Sequence, residues 1–213
     1  SHTMARRLPT YFLLAASGRM HGEAIPAVDT GLQNLLENLR MDPYALETTW
    51  ISVIKFSREA EVLLPLTSLE DVNIPEIDCP TSGPTHLGEG LKLLCDQAEI
   101  EVNKVGDSRD WRPLAFVMTD GKASDVQLFK AQAQRVKRIG FSSVIGLAAG
   151  KKAKKEELEE FCDHVALLET MDGQSLANYF KWVSDTVSVG SKSFGAVPEL
   201  ELPPPPAEIN LSL

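Results

Sequence analysis

Cysteine is scarce in this chain. Cys79, Cys95 and Cys162 are the three present, far apart and without a Cys-x-x-Cys or Cys/His cluster. Their spacing excludes a zinc site and a disulfide framework. An odd number of dispersed thiols suits a reducing compartment, so a cytoplasmic location is expected. No apolar stretch approaches the ~20 residues of a membrane span, and no signal-peptide pattern is visible. Positive charge is also short, with 21 Lys and Arg against 30 Asp and Glu, a net charge of -9. That balance excludes general nucleic-acid binding, which needs a positive field against phosphate. It also argues against docking on anionic membranes.

Catalytic signatures are missing as well. Between Gly146 and Gly150 lie three residues, and Lys152 follows Lys151. A phosphate loop needs four residues between its glycines and a hydroxyl after its lysine, so this stretch reads as a strand-to-helix turn. Ser17 sits in Ala15-Ala16-Ser17-Gly18-Arg19, which is not the GxSxG of a nucleophile elbow. No enzyme is expected. An enzyme or nucleotide binder remains the rival class, since a fold does not dictate its chemistry.

What is there is an ordinary globular composition, 43% hydrophobic and 24% charged, over 213 residues. One α/β domain with a tail fits that length. Ser1 to Met4 reads as a tag remnant, residues 6–189 as the domain, and residues 190–213 as an extended Pro-rich tail. Apolar runs alternate with helical stripes. Strands are expected at Tyr11 to Ala15, Thr49 to Phe56, Glu61 to Leu64, Leu114 to Met118, Ser143 to Leu147 and Val165 to Leu168. Helical faces are carried by Ile25, Val28, Leu32, Leu35, Leu36 and Leu39, with Asp42-Pro43 closing that helix. Leu87, Leu91, Leu94, Ala98, Val102 and Val105 mark a second. Asp125 is placed to cap a third, which stops at Gly140. A short acidic helix spans 156–161, and Leu176, Phe180, Val183 and Val187 mark the last. Pro65 to Pro84 reads as a long loop. The fold class is α/β, a doubly wound and mostly parallel sheet with helices on both faces and one antiparallel edge strand.

In such sheets ligands bind beyond the carboxyl ends of the strands. Three segments are placed to meet there: Ala15 to Met20, Ser82 to Gly88 and Met118 to Gly121. Beside them, His21 and His86 read first as surface or hydrogen-bonded structural histidines. Lys151, Lys152, Lys154 and Lys155 read as a solvated surface, with docking of an acidic partner as the alternative. In the tail, Leu200, Leu202, Ile209, Leu211 and Leu213 alternate with polar or Pro residues. Such a segment suits either a disordered end or a strap laid along a groove or sheet edge.

Several stretches together resemble a known family. They are Gly22-Glu23 with Val28 and Gly31-Leu32; Asp42 to Glu47; Ser82 to Gly88; Trp111 to Leu114; Met118 to Gly121; and Phe180 to Ser184. The chain resembles a von Willebrand factor A domain, and within that group the TerY-like proteins of bacterial tellurium-resistance and stress operons. The resemblance covers about residues 6–189. It implies a metal-ion-dependent adhesion site built from Asp-x-Ser-x-Ser on the first loop, a Thr on the second and an Asp on the third. Ser17, Thr85 and Asp120 match three of those positions. The first Asp falls on Ala15 and the second Ser on Arg19.

The departures have a physical consequence. Mg²⁺ seeks a shell of oxygen ligands, and here two carboxylates become one while a cation joins the loop. Two unit positive charges ~5 Å apart repel by several kcal/mol at an intermediate dielectric. Weak Mg²⁺ binding through Ser17, Thr85 and Asp120, or none, is expected, and no other cofactor. The Arg19 guanidinium either takes the cation's place and pairs with Asp120 or points into solvent. The resemblance implies a non-enzymatic interaction module, a scaffold or regulator of phospho-signalling. Its partners would be a Ser/Thr kinase, a metal-dependent protein phosphatase or a second TerY-like protein. The alternatives are a phosphorylation substrate of that kinase and an adhesion domain that keeps weak Mg²⁺.

Overall fold

Seven strands form one sheet in the order β3-β2-β1-β4-β5-β6-β7. The structure is a computed structural model. It describes residues 6–80, 83–193, 202–207 and 209–212, without the side chains of Arg19, Lys192, Ser193 and Ser212. Ser1 to Met4, Leu200 and Leu213 lie outside the described residues.

The central strands are β1 (Leu8–Ala15), β2 (Thr49–Phe56), β4 (Leu114–Thr119), β5 (Ser143–Ala149) and β6 (His164–Leu168). Their pairings β2-β1, β1-β4, β4-β5 and β5-β6 are all parallel. Strands buried on both faces carry apolar side chains at odd and even positions alike. In β1, Leu8, Phe12 and Leu14 enter one core, and Tyr11, Leu13 and Ala15 enter the other. The first core is closed by α1 (Ala24–Arg40), α2 (Pro43–Thr48) and α6 (Gly173–Ser193). The second lies under α3 (Leu87–Glu101), α4 (Val126–Ile139) and α5 (Lys155–Glu159). The α/β class with a mostly parallel sheet is as the sequence implies.

Several boundaries differ from the sequence reading. The edge strand β3 runs from Ala60 to Ser68 and pairs antiparallel with β2. It carries Pro65 through the ladder instead of ending at Leu64, which an edge strand tolerates because one side needs no partner. Asp42-Pro43 does more than close α1. The Asp42 carboxylate accepts the Tyr44 N–H at 3.0 Å, and Pro43 opens α2, a helix the pattern did not reveal. Helix α3 stops at Glu101, so Val102 caps it and Val105 stands exposed. Helix α5 begins at Lys155, leaving three lysines before it and placing Glu156 and Glu157 in its first turn. The two glutamates suit the positive end of the helix dipole, while Lys154 and Lys155 at the cap oppose it.

A second antiparallel edge joins the one expected. Strand β7 (Asn210–Ser212) pairs with β6, matching Leu211 to Ala166. Of the two readings of the tail, a disordered end or a strap on a groove or sheet edge, these residues take the second. Among the described residues no helix is long and apolar enough to cross a membrane.

Two contacts hold the frame in register. At the amino end of the sheet, Arg7 forms a two-pronged ion pair with Asp110, at 2.8 and 2.6 Å, tying β1 to the segment before β4. Across the first core, Gly31 lets α1 approach α6 closely. A Cβ there would lie 2.3 Å from the Phe180 ring. Gly31→Val should therefore lower stability by about 1–3 kcal/mol, read as a lower urea midpoint; an unchanged midpoint would contradict this packing.

Candidate functional site

The chain order reverses between β1 and β4. From β1 it winds outward through β2 and β3, then from β4 the other way through β5 and β6. The loops leaving β1 and β4 therefore diverge and open a crevice at the carboxyl ends of the strands. Ser17 follows β1 and Asp120 follows β4, so both stand at that crevice.

After β1, Ala16 donates its N–H to the Phe56 carbonyl at 2.8 Å, which carries the extended backbone one residue past the strand. A single 3₁₀ turn at Gly18–Met20 follows, closed by the Met20 N–H on the Ser17 carbonyl at 2.9 Å. Ser17 is 1% exposed, and its hydroxyl donates to the Asp120 carboxylate, itself 1% exposed. Ala15 turns its methyl into the second core and offers the crevice no oxygen. The Arg19 side chain lies outside the described residues, and with it the choice between pairing to Asp120 and pointing into solvent.

Thr85 is brought in by the opposite loops. Its carbonyl accepts the Ser124 N–H at 2.9 Å, and its N–H donates to the Ser124 hydroxyl at 3.2 Å. This stitches the segment before α3 to the loop after β4 and buries Thr85 to 2% exposure. Asp125 adds a second stitch. It stands at the N-cap position of α4, as the sequence suggests, but makes no side-chain cap there. Its carboxylate instead accepts the Gly88 and Glu89 N–H groups of α3, at 3.0 and 2.8 Å. Gly88 permits this close approach, since a Cβ would meet the Phe129 nitrogen at 2.5 Å.

His86 has a structural partner and His21 lies on the surface. The ring of His86 bonds the Arg58 carbonyl through Nδ1 at 2.8 Å, and its backbone opens α3. His21 is exposed and lines a groove of about 290 Å³ with Ile25, Pro26, Ile77 and Cys79. Cys79 belongs to the site although sequence reasoning passed over it. Its thiol donates to the Ser17 carbonyl at 2.8 Å. Burial and the Asp120 carboxylate push this thiol up, with Lys55 opposing. Its place in a Pro-rich loop gave no periodicity to point at the crevice. Ser124 and Asp125, four and five residues beyond Asp120, carried a nearer signal.

The donor set can be compared with the needs of a divalent cation. Ser17, Thr85 and Asp120 bring two hydroxyls and one carboxylate, and Ala15 stands where the resemblance expects a second carboxylate. Among the described residues no group of three or more His, Cys, Asp or Glu side chains could hold a metal. Magnesium binds through carboxylates and retained waters in an octahedron. One buried carboxylate already engaged by a serine does not fit a tightly held ion.

The Asp125 stitch and the Ser17–Asp120 bond have measurable worth. Asp125→Ala should cost about 1 kcal/mol by uncapping α3, and Ser17→Ala about 1–3 kcal/mol by removing a donor from a buried carboxylate. Denaturant melts of both variants check this. Wild-type midpoints would show that neither bond forms.

Comparison with known proteins agrees with this geometry. The family model described as von Willebrand factor type A domain matches residues 10–180. Proximal thread matrix protein 1 of the mussel byssus superposes with a TM-score of 0.67 at 19% identity, over 86% of this chain and 48% of that one. A second structure of it is described as having a zinc-occupied MIDAS motif. A von Willebrand factor type A protein from Catenulispora acidiphila gives 0.59 at 14% identity, over 87% of this chain and 43% of that one. The open form of the pilus adhesin SpaC from Lactobacillus rhamnosus GG gives 0.67 at 12%, over 87% of this chain and 30% of that one. This chain thus spans about half or less of each. Comparison with curated protein sequences gives no match. Domains of this type are commonly interaction or adhesion modules. With the family model covering most of the chain and the crevice in its expected place, the chain belongs to the von Willebrand factor type A domain family.

Proposed function

We propose that this chain is a non-enzymatic protein-interaction module whose adhesion site has degenerated, so that its top face engages a partner without a bridging cation. One observation carries the reading. Ala15 is buried in the core at the position of the site's first acid, while Ser17 and Asp120 close on one another. In the complete motif a cation joins the domain to a partner's carboxylate. With Ala15 and Arg19 in place, Arg19 brings a fixed positive charge to the same loop. A guanidinium offers two parallel N–H donors to a carboxylate, so an acidic group on the partner remains the natural ligand.

The TerY-like resemblance extends this to a setting. The chain acts as a scaffold or regulator in a tellurite-resistance or stress phospho-signalling system, in the cytoplasm. Its partners are a Ser/Thr kinase, a metal-dependent protein phosphatase or a second TerY-like protein. The domain is residues 6–189, with residues 190–213 as its tail. The substrate reading has less support near the crevice, since the Ser17 and Thr85 side chains are buried. Weak Mg²⁺ binding through Ser17, Thr85 and Asp120 remains compatible with this reading; tight binding does not.

Titration of Mg²⁺ and Mn²⁺ by calorimetry tests the proposal. The expected result is at most millimolar affinity for the chain and at least tenfold tighter binding by an Ala15→Asp/Arg19→Ser variant. Comparable tight binding by both would sink the reading. A pull-down from source cells with the wild type and with Arg19→Ser tests the partner. Capture of a kinase or phosphatase, lost in the variant and indifferent to a chelator, is the expected outcome.

A further inference from the structure

The amino end of the sheet, opposite the crevice, carries a pocket of its own. Helices α3 and α4 both end there, beside the segments that lead into β4 and β5. Between them lies a cavity of about 210 Å³, with an apolar wall of Val102, Trp111, Pro113 and Ile139. Pro113 is buried and the other three are half-buried. Hydrogen bonds fix this wall. The Arg6 guanidinium lies 3.5 Å from the centre of the Trp111 ring and donates to the Arg109 and Asp110 carbonyls at 2.9 and 3.2 Å. Arg112 donates to the Gly140 and Phe141 carbonyls at 3.2 and 2.8 Å, which ties the entry to β4 to the end of α4.

Three exposed cations line the same cavity: Lys104, Arg109 and Arg112. Among the described residues none of them is paired with a carboxylate. Asp110, the acid in the lining, is already engaged. It is 4% exposed, holds Arg7 with both oxygens and accepts the Asn103 N–H at 2.8 Å. Asp107 shares the loop but lies outside the lining. Lys137 and Arg138, in the last turn of α4, add charge of the same sign. A chain of net charge -9 therefore turns a positive face outward here. On the end of α3 and the loop after it, Ile100 and Val105 are 77% and 81% exposed. Open apolar side chains around a tryptophan and arginines have the composition of a protein interface at its anchor points.

We propose that this pocket is a second docking site, for an acidic protein segment that inserts one large apolar side chain between Trp111 and Ile139. Carboxylates on either side of that anchor meet Lys104, Arg109 and Arg112. Size sets the class of ligand. Small-molecule pockets run to roughly 300–1,000 Å³, and this cavity is smaller, with room for one large side chain. Charge sets its sign, since opposite potentials across an interface steer partners and reject wrong ones. A nucleic acid backbone has nothing to bury against the apolar wall, and the net charge of the chain repels it. The inference is independent of the reading of the top-face crevice. The strand β4 separates the two sites by about 20 Å, so both can be occupied at once, from opposite ends of the sheet.

NMR titration of the full, isotope-labelled chain tests this. The probes are short peptides in which one Leu, Ile, Met or Phe is flanked on each side by two acidic residues. At least one should bind with a sub-millimolar Kd and shift the Trp111 indole N–H and the amides of Asn103, Lys104 and Gly140. Replacing the central residue by Ser, or the acids by Lys, should weaken binding at least tenfold, and added salt should weaken it too. A Lys104→Glu/Arg109→Glu variant alters two exposed side chains and leaves the bonds of Arg6, Arg7 and Arg112 in place. It should keep a folded spectrum and lose at least tenfold in affinity. Several results would overturn the proposal: no binding by any probe, shifts confined to the Ser17–Asp120 crevice or to the lysines at 151–155, or equal affinity for the Ser-centred peptide or by the variant. Tighter binding of a single-stranded DNA at the same residues would overturn it in favour of a nucleic acid.

Discussion

The hydrogen bond from Ser17 to Asp120 crosses the point on which the architecture turns. It joins the ends of β1 and β4, the parallel pair from which the chain winds away in opposite directions. A buried carboxylate is costly unless its oxygens find donors. Pairing Asp120 with Ser17 on the loop after β1 answers part of that cost. The Thr85–Ser124 exchange and the Asp125 cap on α3 hold the opposite wall in the same way. The top face is thus built from hydrogen bonds between loops, resting on a sheet that both cores clamp.

On the reading proposed for the top face, the loops keep their shape without a bridging ion. In a metal-bridged site the cation binds the loops together. Here the loops carry their own cross-links, so the backbone frame at the crevice rests on hydrogen bonds. At the far edge of the sheet the tail covers β6 through the three-residue strand β7.

Much of this was legible in the residues. The alternation of short apolar runs with helical stripes gives a mostly parallel sheet because strands buried on both sides need apolar side chains at every position. The order of Ser17, Thr85 and Asp120 along the chain, each at the end or start of an element, points to one crevice. What was not legible depended on where an element stops. Pro65 looked like a breaker, yet it lies on an edge where a missing N–H costs nothing. Asp42-Pro43 looked like an ending and was also a beginning. Val105 kept the helical spacing, but α3 ends before it, and nothing covers it.

The sequence by itself determined the two-faced sheet and the placing of the three loop residues at its carboxyl end. These follow from periodicity and residue type, which are local. Only the tertiary structure decided that Asp125 caps α3 in place of its own helix, that Cys79 stands beside Ser17, and that the tail closes the sheet against β6. Each depends on which segments distant in sequence become neighbours. A carboxylate takes whichever unsatisfied N–H groups packing brings within reach. An extended strand takes whichever sheet edge is left open.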